Sequence, residues 1–256
     1  LGEADLGVVL GSDAGELLDS PVDSLRLERI DRWDRVYYLW LDSGRRWVND
    51  PRFRAWLGSV MDREAMLAYL FDGRGEPAAG LLPGEPLEPV PPGPASRPLS
   101  AASRPRLDLC FDAADRLAAS IAARARAALD LHGVELVLDP RDAAGLAGAL
   151  SRGQGSIFLL AHRPGSADPV LGLTESLVRL PGLPSATLET LRRGSRRVDS
   201  RERELAARRT EAGLLRDGSL IPLVRLHVWL ATDPALRGVR TGADGLLFLE
   251  RAWWAR

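Results

Sequence analysis

Three histidines, a single cysteine and a run of arginines are the residues of this chain whose types invite chemistry. His162 follows the apolar run Ile157–Ala161 and precedes a polar stretch, Arg163–Ala167. Open α/β sheets bind ligands at the C-terminal ends of their parallel strands. That position lets His162, with Arg163 and Ser166, contact an anionic or polar ligand; the alternative is that the three decorate a loop. His132, His162 and His227 lie far apart with no metal-ligand spacing, so no zinc site is expected. Cys110 sits inside an apolar run and reads as a buried thiol, and one cysteine excludes an intrachain disulfide. Arg192-Arg193-Gly194-Ser195-Arg196-Arg197 has the composition of a phosphate or nucleic-acid contact. It falls between two helical patterns in a chain of net charge −1, and there it reads as a solvated connector.

Other chemistry is excluded. The chain has no lysine, so a P-loop lysine, a Schiff base and a Ser–Lys dyad are ruled out. It contains no G-x-S-x-G, no H-E-x-x-H and no G-x-G-x-x-G after a strand. Asp31 and Asp34 read as surface carboxylates. No nucleophile–base pair is indicated, no cofactor is implied, and a non-enzymatic protein is expected.

The elements that must position these residues centre on Leu107–His162. Three short apolar runs, Leu107–Phe111, Val134–Leu138 and Ile157–Ala161, alternate with two helical patterns. The first, Ala113–Leu131, puts Leu117, Ile121, Ala125, Ala128 and Leu129 on one face at the 3.6-residue period, and His132-Gly133 ends it. The second starts at Asp142, an N-cap residue. This alternation predicts βαβ units and a mixed, mostly parallel sheet flanked by helices, an α/β fold.

Around that unit, Leu6–Leu10, Leu25–Ile30 and Val36–Leu41 read as strands, and a short helix is expected from Ser12 or Asp13 to Leu18. Helices are expected from Asn49-Asp50-Pro51, from Asp62, from Asp168-Pro169, over Ser185–Arg193, and from the capping pattern at Asp199. Leu220–Leu230 reads as a strand whose start, at Pro222, lies at an edge or bend. Half of the chain's 18 prolines fall between Glu76 and Pro105, an extended, partly polyproline segment. With 256 residues, 45% apolar and 27% charged, the chain has ordinary globular composition for one large domain or two small ones. No stretch approaches a membrane span, no signal peptide is seen, and the chain opens on Leu1 as though cut from something longer.

Four stretches together resemble the C-terminal part of the family 5 extracellular solute-binding proteins, the peptide-, oligopeptide- and nickel-binding receptors of ABC importers. Gly2-Glu3-Ala4-Asp5 resembles that family's "G-x-A-D" strand. Tyr38–Asp42, Asn49–Trp56 and Met61-Asp62-Arg63 resemble its "y-l-x-f-N … D-x-R-V-R-x-A-l … A-I-D-R" block. Gly133–Leu150 resembles its "G-I-x-V-e-l" unit, and Arg201–Leu223 its closing helix and strand. The resemblance covers nearly the whole chain. It implies a type II periplasmic-binding-protein-like lobe over residues 1–256, with the N-terminal lobe absent and residues 76–105 as a surface excursion within it.

By that resemblance the chain binds a peptide or small polar solute by lobe closure, outside the cytoplasm, with ABC permease subunits as partners and no nucleic acid. The family's cleft motif "G-W-x-x-D" is altered here: His162 stands for its Trp and Gly165 for its Asp, the group that pairs with a peptide's amine. The ligand-binding set implied is therefore His162, Arg163, Ser166 and Asp168, with Trp40 and Asp42, the latter in place of the family's Asn. Trp33, Trp47 and Trp253-Trp254 are further candidates for a ligand or partner surface. A second reading is a sensory or interaction module that has lost its transport ligand and pairs with a partner or a second copy through the surface left by the missing lobe.

Overall fold

A computed structural model describes residues 6–10, 25–72, 74–84, 86–87, 104–163, 168–241 and 247–255. In chain order the strands and helices are β1 (Leu6–Leu10), β2 (Arg26–Leu41), α1 (Pro51–Val60), α2 (Arg63–Phe71), β3 (Glu76–Pro77) and β4 (Arg106–Asp112). These are followed by α3 (Arg116–Asp130), β5 (Glu135–Arg141), α4 (Ala143–Arg152), β6 (Ile157–His162), α5 (Pro169–Leu177), α6 (Ser185–Ser195) and α7 (Ser200–Asp217). The chain closes with β7 (Leu220–Thr232), β8 (Leu236–Arg237), β9 (Arg240–Thr241), β10 (Leu247–Phe248) and β11 (Trp253–Trp254). The helix expected near Ser12 lies outside the described residues.

Aspartates start six of these helices. Asp50, Asp62, Asp115, Asp142, Asp168 and Asp199 each accept a backbone N–H of the first turn, each cap contributing about 1 kcal/mol. Among the described helices only α6 starts without a side-chain cap, on Pro184.

The main sheet has the order β1-β7-β2-β6-β4-β5, with β3 beside β7. Among the described residues parallel pairing is confined to β4, β5 and β6; the other pairs are antiparallel. The sheet is mixed as expected, but its parallel part is the smaller one. The reason is that β2 is far longer than its apolar run suggests and pairs antiparallel with both β6 and β7. Instead of two strands, residues 26–41 form one, which absorbs the charged Asp31–Asp34 stretch through register shifts around Trp33. A further shift between Tyr37 and Tyr38 falls opposite Pro222, the bend that the proline requires.

Helices cover both faces. Tyr37, Leu39 and Leu41 pack with α1, α2 and α3, while Val36, Tyr38 and Trp40 pack with α5, α6 and α7. Burial on both sides explains why Val36–Leu41 is apolar at every position rather than at every second one. Beyond β6, the first half of β2, the last half of β7 and β1 continue as a three-stranded ribbon with small clusters of its own, Val9 with Ala231 and Val228 with Leu230.

The proline-rich excursion begins as packed structure. Glu76 and Pro77 pair with β7, and Ala78, Leu81 and Leu82 are buried against the α5–α7 face. Residues 88–103 lie outside the described residues. No described helix is long and apolar enough to cross a membrane.

Candidate functional site

β6 lies between parallel β4 and antiparallel β2, with β7 beyond β2, so the C-terminal end of the parallel strands brings together parts of distant segments. His162 closes β6 opposite Val36, Val36 faces Arg225 on β7, and Arg225 faces Glu76 on β3. Residues directly opposite share a face, so these four form one row across four strands. Arg225 pairs with Glu76 at 3.0 Å and donates to the carbonyls of Leu82 at 3.1 Å and Gly80 at 3.3 Å. His227 Nε2 stands 3.8 Å from the other oxygen of Glu76. Beneath them Glu211 of α7 accepts the backbone N–H groups of Leu81 and Leu82.

His162 is 3% exposed, and its Nδ1 lies 2.5 Å from Ser176 Oγ on α5. Burial, with Arg225 adding repulsion, lowers its pKa to about 4, so the imidazole is neutral at pH 7. Arg163, next along the chain, is exposed. Ser166 lies outside the described residues. Asp168 is committed to structure: it caps α5 through Val170 and Leu171 and pairs with Arg203 at 3.1 Å.

Trp40 and Asp42 are elsewhere. Val36, opposite His162, and Leu41, opposite Ile157, are five positions apart along β2, which is about 17 Å of strand. The five candidates among the described residues therefore split between two ends of the sheet. Trp40 is 1% exposed and donates its indole N–H to Pro181 O at 2.8 Å. Asp42 is buried, accepts from Gly44 N at 3.0 Å, and pairs with Arg45 at 3.7 Å. Gly182 leaves room for it, since a Cβ there would stand 2.5 Å from Asp42 Oδ1. Trp47 is half-buried against the core with Arg46 over its ring, and Trp253 and Trp254 are exposed on β11. The side chain of Trp33 lies outside the described set.

On the opposite face of the same sheet end, the phenol of Tyr37 donates to both oxygens of Asp115, at 2.9 and 3.1 Å. Arg35 reaches the Tyr37 oxygen at 3.2 Å and lies 3.8 Å from Asp115. Burial, reinforced by Asp115, raises the Tyr37 pKa and keeps the phenol protonated. Asp115 is also the N-cap of α3, so one carboxylate ties a helix start to a strand 78 residues away.

A second polar concavity lies towards the other end of the sheet. It is a cleft of about 400 Å³ lined by Arg45, Asp108, Asp139, Arg141, Gln154, Gly155 and Ser156. Arg141 grips one oxygen of Asp139 through two nitrogens, at 2.7 and 2.8 Å, which holds that carboxyl below its usual range. Cys110, buried beside it, directs its thiol at Asp139 and at Gln154 O. No group of three or more His, Cys, Asp or Glu suited to a metal occurs among the described residues.

Sequence reasoning located His162 and Arg163 at this end of the sheet but missed Arg35, Tyr37, Glu76, Asp115, Glu211 and Arg225. The one available signal was charge inside strand patterns, at Arg35 and Arg225.

No family model and no curated protein matches the sequence. Solved structures do match in fold. NikA from Brucella suis, in complex with Fe(III)-EDTA, superposes with a TM-score of 0.78 at 15% identity, over 99% of this chain and 58% of its own. A dipeptide-binding protein from a Pseudoalteromonas species, in complex with Met-Leu, gives 0.72 at 16%, over 99% and 54%. The ABC transporter substrate-binding protein CtaP from Listeria monocytogenes gives 0.75 at 17%, over 100% and 57%. The chain spans just over half the length of these structures. It has the fold of one lobe of the family 5 extracellular solute-binding proteins.

Proposed function

We propose that this chain is a solute-binding lobe of an ABC-importer receptor acting outside the cytoplasm. It binds a peptide or small polar solute by closure against a second lobe and then delivers it to the permease. It performs no chemistry on its ligand. The observation that carries this reading is the polar end of the sheet, where the row His162–Val36–Arg225–Glu76 meets the exposed Arg163 in a solute-receptor fold. Parallel strands present ligands with backbone ends and polar side chains at this edge. Neutral His162, the cationic Arg163 and Ser166 supply hydrogen bonds and one positive charge, a set suited to a carboxylate or another polar oxygen group rather than to a free amine.

The test is thermal unfolding of the chain against short peptides, amino acids, sugars and chelated metal ions, with molar mass measured alongside. A ligand that binds only the folded state at about 100 times its Kd adds roughly 2.7 kcal/mol. The expected result is a rise in midpoint with a peptide or polar solute that Arg163→Ala abolishes. No shift from any ligand, together with a dimeric mass, overturns this reading in favour of an interaction module.

A further inference from the structure

The α6–α7 corner carries a surface that the solute site does not use. Residues 192–203 hold six arginines against two acids. Three of the six are neutralised locally: Arg193 by Glu189 at 2.9 Å, Arg197 by Glu202 at 3.2 Å and Arg203 by Asp168 at 3.1 Å. Arg192, Arg196 and Arg201, and Arg209 two turns further along α7, are exposed and have no acidic partner among the described residues. The apolar groups among them are exposed as well. Val198, at the tip of the connector, is 97% exposed, and Leu205 lies between Arg201 and Arg209 on one helical stripe at 38%.

The corner is built to hold these groups still. Gly194 lets the two helices touch, since a Cβ there would stand 3.0 Å from that of Ala206. Leu191 and Ala207 are buried behind it, and Asp199 caps α7 through Glu202 N at 2.9 Å. Its place in the fold is set by α7. The helix starts beside Asp168, six residues past His162, and ends where Ser219 O accepts from Leu41 N at the far end of the sheet. The cationic corner therefore shares the C-terminal end of the parallel strands with the candidate site.

We infer that this corner docks on the surface of an anionic phospholipid bilayer. The guanidinium groups of Arg192, Arg196, Arg201 and Arg209 match phosphodiester headgroups in charge and geometry. Val198 and Leu205 supply the apolar component that an interfacial surface buries among acyl chains and that a soluble anion leaves in water. The chain's net charge of −1 gives no overall attraction, so the local field both binds and orients the lobe, turning the His162 end towards the membrane. The inference stands apart from the solute-receptor reading and survives its failure.

The test is cosedimentation of the chain with vesicles of phosphatidylcholine alone or with about 30 mol % phosphatidylglycerol, at roughly 20 and 300 mM NaCl. Binding is expected only with phosphatidylglycerol and to fall at the higher salt. At about fivefold per arginine, the variant R192A/R196A/R201A/R209A is expected to lose at least a hundredfold in partitioning, with an unchanged melting temperature. Val198→Ser is expected to weaken vesicle binding about fivefold while leaving retention on heparin unaltered. Equal binding with and without phosphatidylglycerol, full binding by the four-arginine variant, or binding to double-stranded DNA or poly-glutamate as tight as to vesicles with no effect of Val198→Ser would overturn the inference.

Discussion

Glu211 accepts the backbone N–H of Leu82 at 2.9 Å across 129 residues of chain, and with it the N–H of Leu81. The contact pins the start of the proline-rich excursion to α7. Gly80 has no room for a side chain, since a Cβ would lie 2.7 Å from Glu211 Oε1. Removing the carboxylate leaves two buried donors without an acceptor. Glu211→Ala is expected to cost about 2–4 kcal/mol and Glu211→Gln, which keeps a carbonyl acceptor, about 1 kcal/mol, read from urea unfolding. Burial raises the folded-state pKa of Glu211 above 4.5. The folded state therefore holds its proton to higher pH than the unfolded state does, and this group's contribution to stability declines as pH rises from 4.5 through the raised value. Glu211→Gln should remove that decline.

Trp40 separates a core role from a ligand role. Replacement by Phe removes volume from a site that is 1% exposed and leaves Pro181 O without its indole donor. A loss of about 2–3 kcal/mol is expected, with no change in the affinity of any solute that shifts the wild-type midpoint. Affinity reduced at unchanged stability would put Trp40 in the cleft instead.

How much of this was legible follows from the range of each signal. Asp50, Asp62, Asp142, Asp168 and Asp199 are visible as caps because a cap acts within three residues. Asp115 was missed: Asp112, Ala113 and Ala114 in front of it are compatible with a helix, and only the contact with Tyr37 shows why α3 starts at Arg116. The continuity of β2 was hidden because Asp31 and Asp34 break the apolar pattern that a strand is read from. The row from His162 to Glu76 cannot be assembled from local signals, since its members come from four strands and its Arg225–Glu76 pair spans 149 residues. His162 itself was found because a polar residue ending an apolar run is a local feature.

Cys110 should be chemically silent in the folded protein. Burial, with Asp139 adding to it, raises its thiol to about pKa 12. Gly155 is packed over it, with a Cβ there falling 2.8 Å from the sulfur. Because the thiolate is the reactive form, an aromatic disulfide reagent at about pH 8 is expected to modify the native chain at the global unfolding rate and the urea-unfolded chain within seconds. Rapid modification without denaturant would show that the Asp108–Asp139 cleft opens to the sulfur.

His162 gives the fold its clearest expected dependence on acid. Its folded pKa is depressed to about 4, against 6.5 when unfolded, by burial first and by Arg225 second. The unfolded chain therefore binds a proton that the folded chain refuses as pH falls below 6.5. The stability associated with neutral His162 is complete above that value and is lost progressively down to about pH 4. The shift corresponds to roughly 3 kcal/mol over that window, at most about 1.4 kcal/mol per pH unit. Glu211 acts in the opposite sense, its contribution declining as pH rises above 4.5, so of these two groups His162 governs the lower end. Urea unfolding at pH 7, 5 and 4 is expected to show wild type losing more stability than His162→Gln on acidification, although the variant starts lower at pH 7 for want of the contact with Ser176. Parallel losses in the two proteins would mean that His162 is protonated in the folded state, which would place water and charge at the end of β6 where a solute is expected to sit.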